Sequence, residues 1–121
     1  MKESDIQREV YSRFKDNYPL YIRSFQASLN GVNLGRFRFA IINALKAQGM
    51  CIGQSDIFIA VPRAGYHGKF IELKTDLRNA TEEQLKFGDA MIRQGYAFEV
   101  AKGLDAAWSA IESYMDCQEE P

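Results

Sequence analysis

Apolar residues recur at helical spacing in four parts of the chain. Ile6, Val10 and Phe14 lie four residues apart and place one apolar stripe on a predicted helix. Another stretch with helical period ends at Gly49, a residue type that is common just beyond helix C-termini. The form of a capping box at 81–84 predicts the start of a third helix. The predicted helices span residues 4–15, 36–49, 81–95 and 104–115.

Two runs rich in β-branched and aromatic residues predict a β-hairpin in the middle of the chain. They extend from Asp56 to Val61 and from Lys69 to Lys74, and proline and glycine punctuate the segment between them. Further strands are predicted over 20–25 and 96–101, with a loop around 30–35. The resulting order is α, β, α, β, β, α, β, α. It predicts an α/β fold with a central mixed sheet flanked by helices on both faces.

Length and composition predict one ordinary globular domain over 1–121, with a polar tail at 116–121. A chain of 121 residues, 46% apolar and 26% charged, can form a core without disulfides or a structural metal. Cys51 and Cys117 show neither zinc-site spacing nor a disulfide framework, so we expect free thiols. No apolar run approaches the roughly 20 residues of a membrane span, and a signal-peptide pattern is lacking. We therefore expect a cytoplasmic protein with no membrane partner.

The net charge of −1 gives the chain no general attraction for nucleic acid. Any site for a polyanion must therefore be a local cluster of basic residues. Three sets are candidates: Arg36 with Arg38, Arg63 with Lys69, and Lys74 with Arg78 and Lys86.

Charged side chains on the predicted hairpin form the main candidate site. The period of two in a strand puts Glu72 and Lys74 on one face, while Asp56 opens the neighbouring strand. Two carboxylates that converge there would suit Mg²⁺ or Mn²⁺, which prefer oxygen ligands. Such an ion neutralises a phosphodiester oxygen and activates a bound water. The Lys74 ammonium would either orient that water or stabilise charge on the phosphate. The alternative is a surface hairpin with an ordinary cross-strand salt bridge.

Two glutamines fit either a helix cap or the candidate site. Gln84 follows Thr81 by three residues and Gln7 follows Ser4 by three, so each fits the second position of a capping box. Glu3 falls just before or within the first turn of the first helix, where the helix dipole favours a carboxylate in any case.

Other polar and aromatic residues carry weaker signals. His67 is the only histidine and lies in a loop next to glycine, which indicates a loop residue or a DNA contact rather than a general base. Arg36 and Arg38 at a helix start fit either a solvated edge or a phosphate clamp. Trp108 lies on the apolar stripe of the last predicted helix, so we expect it in the core.

Motifs in a specific order extend over nearly the whole chain. They begin with Glu-x-x-x-Gln at Glu3 and Gln7. They continue with Arg36, Leu45 to Gly49, Gly53 to Asp56, Phe70 to Lys74, Thr81 to Gln84, and Gly95-Tyr96. This order resembles the virus-type replication-repair nuclease (VRR-NUC) family, a branch of the PD-(D/E)XK nuclease superfamily. One departure is Ser55, where the family more often has proline, and it affects a turn rather than a ligand.

The resemblance implies a restriction-endonuclease-like fold and metal-dependent hydrolysis of phosphodiester bonds. Asp56 and Glu72 would be ligands of Mg²⁺ or Mn²⁺, and the backbone carbonyl of Leu73 would complete the protein's share. Lys74 would be the catalytic lysine.

The resemblance also implies contributions from outside the hairpin. Glu3 would act from the first helix, directly or through water, and Gln84 would act at the site. Candidates for the border of the site or for DNA binding are Gln7, Arg36, Arg38 and His67.

Stand-alone members of the family are similar to phage-encoded nucleases that act as homodimers on four-way DNA junctions. The resemblance therefore implies a structure-selective endonuclease that resolves Holliday junctions, working in the host cytoplasm if phage-encoded. The alternatives are a flap or nicking nuclease with the same chemistry, and a DNA-binding module that does not cleave. The intact set of Asp56, Glu72 and Lys74 argues against the non-cleaving module.

Overall fold

The computed structural model of the chain describes residues 1–29 and 33–117 and has the predicted order of helices and strands. The helices are α1 (Glu3–Asn17), α2 (Arg38–Ala47), α3 (Glu82–Arg93) and α4 (Leu104–Met115). The strands are β1 (Phe25–Ala27), β2 (Ile57–Ile59), β3 (Lys69–Lys74) and β4 (Ala97–Lys102). Residues 30–32 of the predicted loop and residues 118–121 of the predicted tail lie outside the described part.

The four strands form one mixed sheet in the order β1-β2-β3-β4. β1 pairs with β2 and β2 with β3 in antiparallel fashion, which confirms the predicted hairpin, while β3 and β4 run parallel. The parallel pair is connected through α3, as a parallel connection requires a crossover segment. The mixed sheet predicted from the order of elements is therefore confirmed.

Alternate residues of β3 face two different layers of helices. Ile71 and Leu73 are fully buried and belong to the main hydrophobic core, which α1 and α4 complete. Phe70 points to the other face, where its ring packs edge-on against Phe87 of α3. The helices thus flank the sheet on both sides, and Glu72 shares a face with Phe70 and α3.

Close packing fixes the position of α3 on the sheet. Gly88 is the α3 residue that is buried, and a Cβ at that position would lie 2.4 Å from Cδ2 of Phe98 on β4. Because a methyl group does not fit, the helix backbone approaches the strand more closely than any other residue type would permit.

One predicted strand is wrong. Residues 20–25 were expected to be extended, but Pro19–Ser24 form a 3-10 helix and β1 starts only at Phe25. Pro19 stands at the start of this helix, where its fixed φ angle favours a helical turn. Two apolar residues of this 3-10 helix, Tyr21 and Ile22, are partly buried and pack against the core. Trp108 also packs against the core, as expected.

Two basic residues proposed for a polyanion site are instead buried in structural roles. Arg63 donates from Nε to the carbonyl of Met115 at the end of α4, at 3.1 Å. Lys69 donates from Nζ to the carbonyl of Ala110 at 2.9 Å and to Glu99 Oε1 at 2.8 Å. These contacts hold α4 on the sheet, so the pair of Arg63 with Lys69 is wrong as a polyanion site.

Helix α2 forms as predicted but has no buried side chain. Its end is a Schellman motif, in which the Met50 N–H bonds to the Leu45 carbonyl at 2.9 Å while Gly49 has a φ of +107°. Phe39 is 79% exposed and Ile41 is also exposed, while Ile42 and Leu45 are partly buried. The helical period was therefore predicted correctly, although this face does not pack on the core.

Two smaller expectations concern cysteine and membrane spans. Cys51 and Cys117 are exposed free thiols, as expected. Among residues 1–29 and 33–117, no helix has the length and apolar character needed to cross a membrane.

Candidate functional site

Asp56 immediately precedes β2 and supplies a hydrogen bond that β3 would otherwise lack. The pairing of β2 with β3 ends where Ile57 faces Ile71, so β3 continues beyond its partner. There the Leu73 backbone N–H donates to Asp56 Oδ2 at 2.7 Å. The contact holds the buried Asp56 carboxylate at the open end of β3.

Glu72 and Lys74 lie side by side on β3, on the face that carries α3. Both are buried, with Glu72 only 1% exposed, and Lys74 Nζ lies 3.8 Å from Glu72 Oε2. A solvated surface salt bridge would leave these groups in water. The surface-hairpin alternative is therefore wrong, because burial of two charged groups and of Asp56 costs free energy that an ordinary surface pair does not.

The Leu73 carbonyl faces the side of the strand on which Asp56 lies. The N–H and C=O groups of one strand residue point in the same direction, and the Leu73 N–H points to Asp56. Two carboxylates and a backbone carbonyl oxygen are thus available at this end of β3.

Gln84 serves the helix cap and the site at the same time. Its Oε1 accepts a hydrogen bond from the Thr81 N–H at 2.8 Å, and its own N–H donates to Thr81 Oγ1 at 3.2 Å, which completes the predicted capping box. Its Nε2 donates to Glu72 Oε2 at 3.0 Å. The two explanations for Gln84 are therefore not alternatives, since the amide oxygen and nitrogen are used separately.

Gly53 allows the turn before Asp56 to approach the start of α3. Its φ is +83°, and a Cβ there would lie 2.4 Å from the Glu83 carbonyl oxygen. The sequence contained this glycine within the Gly-x-x-Asp segment, but no pattern indicated which backbone it would meet. It sets the distance between the Asp56 turn and the helix that carries Gln84.

Glu3 comes to the same region from the first turn of α1. Its Oε2 is buried without a hydrogen-bond partner, and the nearest cation is Arg78, with NH1 at 3.8 Å. The helix begins at Glu3 after Lys2, whose N–H bonds to Asp5 Oδ2 at 3.1 Å. Because Ser4 lies inside the helix, the capping-box explanation for Gln7 is wrong.

An open cleft of about 1000 Å³ extends over these residues. Predicted residues that line it are Glu3, Gln7, Asp56, Glu72 and Gln84. Lining residues that sequence reasoning missed include Arg8, Tyr11 and Glu83. The polar side of α1, opposite its apolar stripe, is the signal that could have found Arg8.

Three predicted border residues lie elsewhere. Arg36 and Arg38 are exposed at the start of α2 and do not line the cleft, and the Arg36 guanidinium lies 4.8 Å from the Phe37 ring centroid. His67 precedes β3, at the opposite end of that strand from Glu72, where its N–H bonds to the Gly95 carbonyl at 2.9 Å. Its ring packs edge-on against Tyr96.

The carboxyl group of Glu72 is strongly perturbed. Burial is the largest of the causes that raise its pKa from 4.5 to about 9. The neighbouring Asp56 carboxylate acts in the same direction, the charge of Lys74 opposes the rise, and the charge of Glu3 adds to it. A cation placed among these carboxylates would favour the ionised form.

The donor set fits a hard divalent cation. Glu72 Oε1 and Glu3 Oε2 are both buried and have no hydrogen-bond partner within the described chain. Carboxylate and carbonyl oxygens are the ligands that Mg²⁺ and Mn²⁺ prefer. Within residues 1–29 and 33–117, no three His, Cys, Asp or Glu side chains form a metal-binding group. A cation at this end of β3 would be held by Asp56, Glu72 and the Leu73 carbonyl.

A solved structure is similar to this chain over nearly its whole length. It is described as a VRR_NUC domain protein, shares 25% sequence identity and superposes with a TM-score of 0.84. The match covers 98% of this chain and 92% of the other. No protein-family profile and no curated protein matches the chain. The likeness confirms the mixed α/β fold and supports the resemblance to the VRR-NUC family.

The raised pKa of Glu72 predicts that the free energy of unfolding depends on pH, and that Glu72→Gln removes this dependence. The folded carboxyl keeps its proton where the unfolded one loses it. Its stabilising contribution is thus complete below the unfolded pKa of 4.5 and lost as pH rises towards 9. In the presence of chelator, we expect the melting temperature of the wild type to fall relative to that of Glu72→Gln over this range. Calorimetry across pH measures it.

The exposed Glu82 on α3 provides a matched control. Glu82→Gln should leave the pH profile of the wild type unchanged. Parallel profiles for the wild type and Glu72→Gln would contradict the assigned protonation of Glu72.

Proposed function

We propose that this chain is a divalent-metal-dependent endonuclease of the VRR-NUC type that hydrolyses DNA phosphodiester bonds. The observation that carries the proposal is the buried set of Asp56, Glu72 and Lys74 at the open end of β3, where Asp56 and Glu72 line a cleft of about 1000 Å³. The similarity to a VRR_NUC domain protein over both chains supports a nuclease.

Mg²⁺ or Mn²⁺ held by Asp56, Glu72 and the Leu73 carbonyl would supply positive charge at the scissile phosphate and an activated water. The chain's own groups set the geometry around that phosphate. Lys74 places a buried ammonium beside Glu72, where it stabilises negative charge that develops on phosphate oxygens. Gln84 orients the Glu72 carboxylate through its hydrogen bond to Oε2.

We further propose that the enzyme is a homodimer selective for four-way junctions. A junction has two symmetric strands to cut, and a two-fold dimer presents two equivalent sites. The net charge of −1 supports selectivity, because a chain without general attraction for DNA depends on local contacts and shape.

The exposed face of α2 supports self-association. A helix of 10 residues is marginal by itself in water, and α2 has no buried side chain to hold it. It contains Arg38 and Lys46 and no acidic residue. A second copy offers a complementary stripe on α3, where Leu85 and Ile92 are about half exposed and Asp89 lies between them. We propose that α2 of each copy packs on α3 of the other.

Removal of a site carboxylate should abolish cleavage and leave the fold intact. Asp56→Asn and Glu72→Gln each delete a ligand charge with little change in shape, and Lys74→Ala should lower the rate by roughly 100-fold. The assay compares junction, flap, duplex and single strand, each with Mg²⁺, Mn²⁺ or chelator. We expect paired incisions on the junction, weak duplex cutting and no cleavage with chelator.

The outcomes separate the alternatives. Full activity of Asp56→Asn would contradict the metal assignment. Equal cutting of all duplex substrates would favour the nicking nuclease, and DNA binding without cleavage under any metal would favour the binding module.

Gln84→Glu should separate capping from the reaction. The carboxylate can still accept the Thr81 N–H bond, so the melting temperature should change little. The variant cannot donate to Glu72, and its charge opposes that carboxylate, so we expect turnover to fall at least tenfold, roughly the loss of one hydrogen bond to a charged group. Thr81→Ala is the converse control, since it weakens the cap and keeps the amide. Unchanged turnover in Gln84→Glu would leave Gln84 with a capping role alone.

Charge introduced on α2 should dissociate the dimer. Phe39→Glu places a carboxylate in the proposed interface without disturbing the core, because Phe39 is already exposed. We expect sedimentation to show a monomer and junction cleavage to lose its paired incisions. Leu20→Glu is the control, since Leu20 is 91% exposed on a different element. A wild-type monomer at micromolar concentration would contradict the proposed interface.

A further inference from the structure

Arg8 is an unpaired cation in a cleft rich in carboxylates. Glu3, Asp56, Glu72 and Glu83 line this cleft, and among the described residues Arg8 is the only Lys or Arg that does so. Within residues 1–29 and 33–117 it forms neither an ion pair nor a hydrogen bond. A guanidinium that neutralises none of these neighbours is available to a ligand from outside the chain.

Arg8 lies more than one helical turn further along α1 than Glu3. A helix rises 1.5 Å per residue, so the backbone of Arg8 is about 7.5 Å along the axis from that of Glu3. Tyr11, one turn further, also lines the cleft, and its ring is held edge-on against Phe25 with centroids 5.2 Å apart. Past the carboxylates, the described lining of the cleft therefore includes the Arg8 guanidinium and the Tyr11 ring.

We propose that Arg8 binds the DNA phosphate next to the scissile one on the same strand, with the Tyr11 ring against the adjoining sugar. This inference rests on the proposed nuclease function. The axial offset from Glu3 and the place of Arg8 in the cleft lining favour contact with a neighbouring phosphate over the one between the carboxylates. Its planar donors suit a phosphate, and its charge offsets the repulsion between the strand and the carboxylates that line the cleft.

The test measures DNA binding by the full chain in the Asp56→Asn background, where cleavage does not interfere. Arg8→Gln and Arg8→Lys are compared with Arg23→Gln, which removes an exposed arginine outside the cleft. The protein is titrated into a four-way junction or into a single strand of the same sequence. Each titration contains Mn²⁺ and is repeated at several salt concentrations. The readouts are Kd and the slope of log Kobs against log salt concentration.

We expect Arg8→Gln to weaken binding of both probes by about tenfold and to reduce the magnitude of the salt slope by about 0.7 to 0.9, as for one lost phosphate contact. Arg8→Lys should keep the slope and lose part of the affinity, because it retains the charge without the planar donors. Arg23→Gln should match its parent in both readouts.

An unchanged slope for Arg8→Gln would overturn the inference while the nuclease function stands. An equal loss in Arg23→Gln would also overturn it, because the effect would then be one of net charge. Absence of DNA binding by Asp56→Asn itself would overturn both the inference and the proposed function.

Discussion

The open end of β3 is the constraint on which the rest of the site depends. β2 stops pairing at Ile57, so the buried Leu73 N–H needs another acceptor, and leaving it without one would cost about 1–3 kcal/mol. Asp56 provides that acceptor. One side chain thus supplies both the hydrogen-bond acceptor that β3 lacks and a carboxylate of the candidate site. Glu72 differs from Asp56, because its buried Oε1 accepts no hydrogen bond from the described residues.

Gln84 joins the secondary structure to the site in a comparable way. The same amide that starts α3 also holds Glu72, so the helix N-terminus and the carboxylate are positioned together. Gly53 brings the third participant, the Asp56 turn, against the same end of the helix. Three segments that are distant in sequence therefore meet at a single point, which explains why a short chain can hold buried charges in a defined arrangement.

Much of this arrangement follows from local patterns in the sequence. Strand period placed Glu72 and Lys74 on one face, and the capping-box pattern located the start of α3. Local patterns failed where tertiary packing decides. Apolar content suggested a strand at 20–25, but Pro19 and packing favour a 3-10 turn. Spacing on a helix also cannot show whether an apolar face meets the core, as α2 demonstrates, or which arginine reaches the cleft.

The contact between Gly88 and Phe98 has a consequence for how this protein can vary. Gly88 lies one helical turn after Gln84, so any side chain at position 88 would lift α3 from the sheet and carry the Gln84 amide with it. Rate is sensitive to displacements of about 1 Å in a site that acts by positioning, whereas the fold tolerates them more easily. A position with no chemistry of its own therefore constrains the geometry of the candidate site. Divergent relatives that replace this glycine would need a compensating reduction at the facing aromatic ring.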